Sequence, residues 1–166
     1  MKIAVLLKQV PDLAEELEVD DSGKALDTEY IKFKLDEYDE HALEEAVCLK
    51  EAGQASEITA IALDGDEVDK ALFTSMAKGA DKAIKIMGAE VEGSRAGASI
   101  FAEAVGTEYD LIMTGVQSVD DREGMMGPML SSILKIPCLS VVTRVEGGDN
   151  GIVVHKEYFG GLMASF

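Results

Sequence analysis

The chain has 166 residues, 47% hydrophobic and 28% charged, which suits one globular domain with a sizeable core and excludes a disordered tail. Its formal net charge of −17 argues against nucleic acid as a partner, because neutralising phosphates needs clustered Lys and Arg. The acidity serves either solubility or the steering of a basic partner.

Residues 3–7 are a continuous apolar run, the pattern of a strand buried on both faces. The run is too short for a signal peptide and has no small-residue cleavage site, so the chain reads as cytoplasmic. No apolar run reaches the ~20 residues of a membrane helix, so no span is expected. Residues 12–34 are polar, with a turn at Asp20-Asp21-Ser22-Gly23. Residues 36–51 read as a helix with Tyr38, Ala42, Ala46 and Leu49 on one face, acids in the first turn and Lys50 in the last.

Residues 57–63 form a second buried strand. Asp66 is expected to cap a helix with the apolar stripe Val68, Ala71, Leu72, Ser75 and Met76, ended by Gly79. A third strand follows at 82–87, an Ala-rich helix at 92–105 and a fourth strand at 110–114. Residues 115–123 are a loop, and 124–134 a helix that ends before Pro137. Two further strands, 139–145 and 152–158, flank a turn from Gly147 to Gly151 that includes Asp149 and Asn150. Alternating strands and helices predict an α/β fold: a doubly wound, mainly parallel sheet with right-handed crossovers. The two late strands extend it as an antiparallel hairpin.

In such a sheet, ligands bind beyond the carboxyl ends of the strands. The first strand leads into Lys8-Gln9-Val10-Pro11-Asp12, the second into Asp64-Gly65-Asp66, and the fourth into the loop from Gly115 to Pro128. This loop is the best phosphate cradle, since it carries glycines and feeds a helix N-terminus with unpaired N–H donors. Glycines at a strand-to-helix turn more often serve the turn alone. Asp120, Asp121 and Glu123 fit an anion site only by capping amides or holding sugar hydroxyls, with Arg122 as partial counter-charge.

The sequence has neither a G-x-x-x-x-G-K-[ST] loop nor a G-x-G-x-x-G turn. His41 and His155 have no Ser or Cys at a strained elbow nearby and read as structural or surface groups. The acids Asp36, Glu37, Asp39, Glu40, Glu44 and Glu45 read as a solvated helix face rather than a metal site. Cys48 and Cys138 read as buried free thiols of a reducing compartment, and the methionines as core filler. No catalytic constellation is visible, so no enzyme is expected.

A family pattern runs through the chain in order. Lys8-Gln9-Val10-Pro11-Asp12 resembles the opening signature of electron-transfer flavoprotein beta subunits. Asp39-Glu40-His41-Ala42-Leu43-Glu44-Glu45-Ala46 resembles their acidic helix, and Ala77-Lys78-Gly79-Ala80-Asp81-Lys82-Ala83 a turn after it. Gly115-Val116-Gln117-Ser118-Val119-Asp120-Asp121 with Gly127-Pro128 resembles their nucleotide loop, and Gly160-Gly161-Leu162 their late paired glycines.

The resemblance implies a Rossmann-like, adenine-nucleotide-binding domain spanning residues 1–166. It holds AMP as a structural cofactor or, in electron-bifurcating members, a second FAD. Adenine would lie against backbone near Leu6 and Leu63, with Asp36 near the ribose or phosphate. Amides of Gly124, Met125 and Met126 would hold phosphate, Asp120 would order the loop, and Gln117 and Gly127 complete the set. The chain departs from the family at Asp36-Glu37, commonly Asn-Pro, at Val116, commonly Lys, at Arg122, often an acid, and at Asp64, usually Gly. An alpha subunit would carry and share the main FAD, and the pair would pass electrons from dehydrogenases to a quinone oxidoreductase or another acceptor. The family continues well past the paired glycines in a C-terminal segment that wraps the alpha subunit. Ending at Phe166, the chain reads as a truncation, a fragment or a short relative.

The alternative is a stand-alone nucleotide sensor of the universal-stress type. It would pair G-x-x-G with a later G-[ST], which Gly124-x-x-Gly127 lacks. An ATP-splitting enzyme of this architecture would want a Ser-Gly-Gly-rich first loop, unlike Lys8-Gln9-Val10-Pro11.

Overall fold

Ile3, Val5 and Leu7 alternate with Ala4 and Leu6 along one strand, and all five are buried. Successive side chains on a strand point to opposite faces, so this strand needs a packed layer on each side. The computed structural model supplies both. It describes residues 1–14, 16–29, 31–88, 91, 93–148 and 151–166.

The strand is β1 (Lys2–Leu7), followed by β2 (Gln9–Pro11), β3 (Phe33–Leu35) and α1 (Glu37–Glu51). Next come β4 (Glu57–Leu63), α2 (Val68–Lys78), β5 (Lys82–Ile86), α3 (Gly93–Val105), β6 (Leu111–Thr114) and α4 (Met126–Leu134). Last are β7 (Arg144–Gly148), β8 (Gly151–Tyr158) and β9 (Leu162–Ser165). The main sheet runs β5-β4-β1-β6 with every pair parallel, Ile3 lying opposite both Ile58 and Leu111. Ile3, Val5 and Leu7 pack on Leu43, Ala46 and Leu49 of α1 and on Val68 and Leu72 of α2. Ala4, Leu6 and Ile61 pack on Ala98, Phe101 and Val105 of α3 and Leu130 of α4. Each fully buried large side chain contributes about 1.5–3 kcal/mol of transfer free energy, so this two-sided burial fixes the sheet.

The expected doubly wound parallel sheet is present, with several local differences. The expected late antiparallel hairpin is present as β7 and β8, and with β9 it forms a separate antiparallel sheet rather than extending the parallel one. That sheet is anchored to α1 and its following turn. Val145 packs on the core beside α1, the Val145 amide donates to Glu45 Oε2 at 3.1 Å, and Gln54 covers Gly147. The strand expected at 139–145 begins only at Arg144, because Val141 sits in the left-handed region at φ 57, which no strand accommodates. β9 was not anticipated; Gly160 and Gly161, both at φ 77, turn the chain back to pair with β8.

Asp66 does not cap α2. The preceding residue is Glu67, in the left-handed region and without a side-chain cap. Tyr38 and Met76 are exposed rather than on buried stripes, and Asp39 takes the inward place on α1. Cys48 and Cys138 are exposed, not buried. Within the polar excursion, β2 pairs with β3, and Val19 bridges Leu26 across the expected turn. The expected helix start at Glu92 and the turn residues Asp149 and Asn150 lie outside the described residues.

Three aspartates brace the sheet through backbone amides. At the amino ends, Asp110 accepts from the Lys2 amide at 2.7 Å, and Asp81 from the Ile58 amide at 2.8 Å. At the carboxyl ends, Asp39 Oδ2 accepts from the Lys8 amide at 2.7 Å and its Oδ1 from the Gly115 amide at 2.8 Å. Asp39 therefore joins the ends of β1 and β6 to the first turn of α1. Position 115 must be glycine, since an added Cβ would overlap the Asp39 carboxylate and lie 2.8 Å from the Asp39 amide nitrogen. Burial pushes the Asp39 carboxyl up to about 7, against the pull of the Gly115 and Lys8 amides, and Asp36 pushes the same way as burial.

Asp39→Asn places an NH2 donor against one of two N–H donors and is expected to destabilise the fold by about 1–3 kcal/mol, read from urea unfolding. The sign with pH follows from the raised value. Between the ordinary 3.8 and about 7, the folded chain holds a proton that the unfolded chain has lost, so Asp39's contribution to stability falls as pH rises through that window. The Asn deficit should therefore be larger near about pH 5 than near about pH 8. A deficit that does not change between about pH 5 and about pH 8 would mean that Asp39 is ionised throughout.

Candidate functional site

The chain leaves β1 toward β4 on one side and returns to β6 on the other, so a crevice opens where these neighbours part. The cleft there has a volume of about 690 Å³, within the range of small-molecule sites. Its apolar surface comes from Leu6, Leu63, Val68, Phe101 and Met126, and its polar wall from Lys8, Ser94, Ser118, Asp120 and Asp121.

The polar wall is internally bonded. Lys8 Nζ lies 2.7 Å from Asp120 Oδ2 and 3.4 Å from Ser118 Oγ, and Ser118 Oγ donates to Asp120 Oδ1 at 2.6 Å. Ser94 Oγ donates to Asp121 Oδ2, and the Asp121 amide donates to Ser118 Oγ at 3.2 Å. Burial works to raise Asp120, but hydrogen bonds from Lys8 and Ser118 outweigh it and leave its carboxyl below the ordinary value. The loop after β6 is thus tied to the end of β1 on one side and to the start of α3 on the other.

Two helix N-termini open on this cleft: Gly93 and Ser94 of α3 line it, as does Met126 of α4. The first N–H groups of a helix have no intrahelical acceptor and carry partial positive charge. Gly124, at φ 62, sets the approach to α4. A Cβ there would lie 2.6 Å from the Val116 carbonyl oxygen. Gln9 also lines the cleft, and its Oε1 is buried without a hydrogen-bond partner among the described residues.

Of the residues singled out from sequence, Leu6, Leu63, Gln117, Asp120, Gly124 and Met126 line this one cleft. Asp36, Met125 and Gly127 stand outside its lining. Asp36 is 2% exposed and accepts from the Tyr38 amide at 3.0 Å as the N-cap of α1. Met125 is the residue ahead of α4, and Gly127 approaches Thr114 closely. The acids of α1 are not one solvated face, since Asp36 and Asp39 are both buried. Sequence reasoning missed Asp39 and Ser94 as cleft residues, whereas Gln9 lies in the strand-end segment it had singled out. Asp39 carried a signal, because it precedes Leu43 and Ala46 at helical spacing on the buried face. Ser94 carried none; only folding brings α3 to Asp121.

Gly124→Ala combines left-handed backbone with a clash against a carbonyl. It is expected to cost about 2 kcal/mol in urea unfolding and to speed amide exchange at Asp121. Unchanged stability and exchange would show that the loop does not depend on this turn.

Among the described residues no helix is long and apolar enough to cross a membrane. The profile of the electron transfer flavoprotein domain family matches residues 24–165. The electron transfer flavoprotein subunit beta of Methylophilus methylotrophus is 34% identical, over 98% of this chain and 64% of that protein. The subunit beta of Syntrophomonas wolfei is 33% identical, over 99% of this chain and 65% of its own length. That of Bacillus subtilis is 32% identical, over 88% and 57%. The chain therefore spans less than two thirds of the length of these relatives. With the profile covering most of a chain that has the doubly wound sheet and its strand-end cleft, this protein belongs to the electron transfer flavoprotein family.

Proposed function

We propose that this chain is the beta-type subunit of an electron carrier, and that its cleft binds an adenine nucleotide: AMP, or the ADP part of a second FAD. The observation that carries this reading is the convergence of two helix N-termini beside an apolar floor at the sheet's switch point. The base fits the apolar surface of Leu6, Leu63 and Phe101, and the phosphate fits the amides around Gly124, Met125 and Met126, with Lys8 as counter-charge. A ribose hydroxyl gives the buried Gln9 Oε1 the donor it lacks. Asp36 and Gly127 act from behind, Asp36 by holding the head of α1 and Gly127 by keeping α4 close to Thr114.

The carboxylates of the cleft limit the phosphate count. Asp120 is held below the ordinary carboxylate value by its hydrogen bonds from Lys8 and Ser118, and Asp64, Asp66, Asp121 and Glu123 add further acidic side chains around Lys8 and Arg122. That balance favours one phosphate over three. In this reading the nucleotide is structural. The redox flavin is held with an alpha subunit, and electrons pass from dehydrogenases to a quinone oxidoreductase or another acceptor. Catalysis then belongs to those partners, and the residues of this cleft bind and order.

Calorimetry of the purified chain tests the reading. AMP is expected to bind one to one and more tightly than ATP, without phosphate release from ATP. Lys8→Ala should weaken AMP about tenfold, the scale of one hydrogen bond to a charged group. Absence of AMP binding, or an unchanged affinity in the variant, overturns it. Flavin absorbance of the native, untreated protein separates FAD from AMP as the occupant.

A further inference from the structure

Among the described residues, Asp39 is the one cleft carboxylate whose two oxygens both hold strand-end amides. Its Oδ2 is 2.7 Å from the Lys8 nitrogen and its Oδ1 2.8 Å from the Gly115 nitrogen. It is 8% exposed and borders the cleft from beneath. The charges that reach it come from known directions. Asp36, at the head of its own helix, disfavours its ionisation, and the Lys8 ammonium from β1 favours it. Asp120, across the cleft, reaches Asp36 and is itself paired with Lys8. β6 contributes the Gly115 amide. Lys8 is therefore the counter-charge shared by three carboxylates. An anionic ligand that engages Lys8 takes counter-charge from Asp39 and adds a like charge above it.

We propose that Asp39 is the positioning residue of this cleft, and that it takes up a proton when an anionic ligand enters and releases it when the ligand leaves. The inference rests on the nucleotide reading of the cleft. Protonation loosens the brace without removing it, because the carbonyl oxygen remains a full acceptor and the hydroxyl oxygen a weaker one for the Lys8 and Gly115 amides. It removes one negative charge beneath the site. Ligand affinity and proton affinity thus raise one another, as linkage requires. Burial sets the starting point, since it holds Asp39 at about 7, where one added or withdrawn neighbouring charge changes its protonation.

The experiment is an amide NMR titration of the full chain between about pH 5 and pH 9, with and without saturating AMP, following the Lys8 and Gly115 amides. These two donors report the Asp39 charge directly. Their common midpoint is expected near neutrality in the free protein and about one unit higher with AMP, corresponding to about tenfold coupling. The titration should disappear in Asp39→Asn and persist in Asp36→Asn, which excludes Asp36 as its source. Midpoints that stay in place while the Gly124 and Met126 amides shift on AMP addition overturn the coupling and leave the nucleotide reading intact. If AMP moves none of these amides, both fail. A brace with a purely structural role would show no ligand-dependent midpoint.

Discussion

The structure depends on one buried carboxylate. A doubly wound sheet parts its connections on either side of the first strand, and at that point backbone donors leave the strands without a neighbouring carbonyl ladder. Asp39 fills the gap by accepting from the first amide after β1 and the first amide after β6. Its own position follows from the buried face of α1, where Leu43, Ala46 and Leu49 seat the helix against β1. Gly115 then has no freedom of identity, because Asp39 occupies the space of its side chain. One hydrophobic stripe thus places a charge, and the charge places both rims of the cleft.

The same bond type behaves differently elsewhere in the sheet. Asp81 also accepts from a strand amide, but it is partly exposed and bonded to Lys50 at 2.6 Å, which lowers its carboxyl below the ordinary value. Among the described residues no ammonium is in direct contact with Asp39, and desolvation outweighs its amide donors. The distinction is one of solvent and counter-charge, not of hydrogen-bond count. A brace at the amino ends can stay ionised at little cost. The brace under the cleft is held where its charge is negotiable.

The sheet was legible because burial on both faces leaves near-continuous apolar runs such as those of β1 and β4, whose short length marks them as strands rather than helices. The cleft was legible as a place, since strand-end loops at a switch point are set by topology; Leu6, Leu63, Gln117, Asp120, Gly124 and Met126 do meet there. What stayed hidden depended on contacts between distant segments. Asp39 looked like one more acid on an acidic helix, and its burial arises from strand ends 31 and 76 residues away in sequence. The second late strand was placed correctly as β8, but the first was begun too early for a local reason. Residues 139–143 have β-forming composition, but Val141 adopts left-handed backbone, and composition does not reveal that. The exposed cysteines show the limit of residue averages, for Cys48 lies on the outer side of a helix whose inner side was already filled.

Helix α1 finally explains how two sheets of different type share one chain. Its first turn carries Asp39 to the parallel sheet, and Glu45, further along, accepts from the Val145 amide of the antiparallel one. A hydrophobic contact accompanies each polar one: Leu43 against the main sheet's core, and Val145 packed onto the same cluster. The late strands could not join the main sheet edge to edge without giving up that seat. The chain leaves the edge strand β6 through the cleft loop into α4, which packs on the opposite face. After α4 the chain crosses to the α1 side, where Glu45 and the turn at Gln54 provide the acceptor and the cover that its first strand needs. The parallel sheet therefore keeps β6 at its edge, beside the cleft, while the later strands build their own ladder against the back of the helix that shapes that cleft.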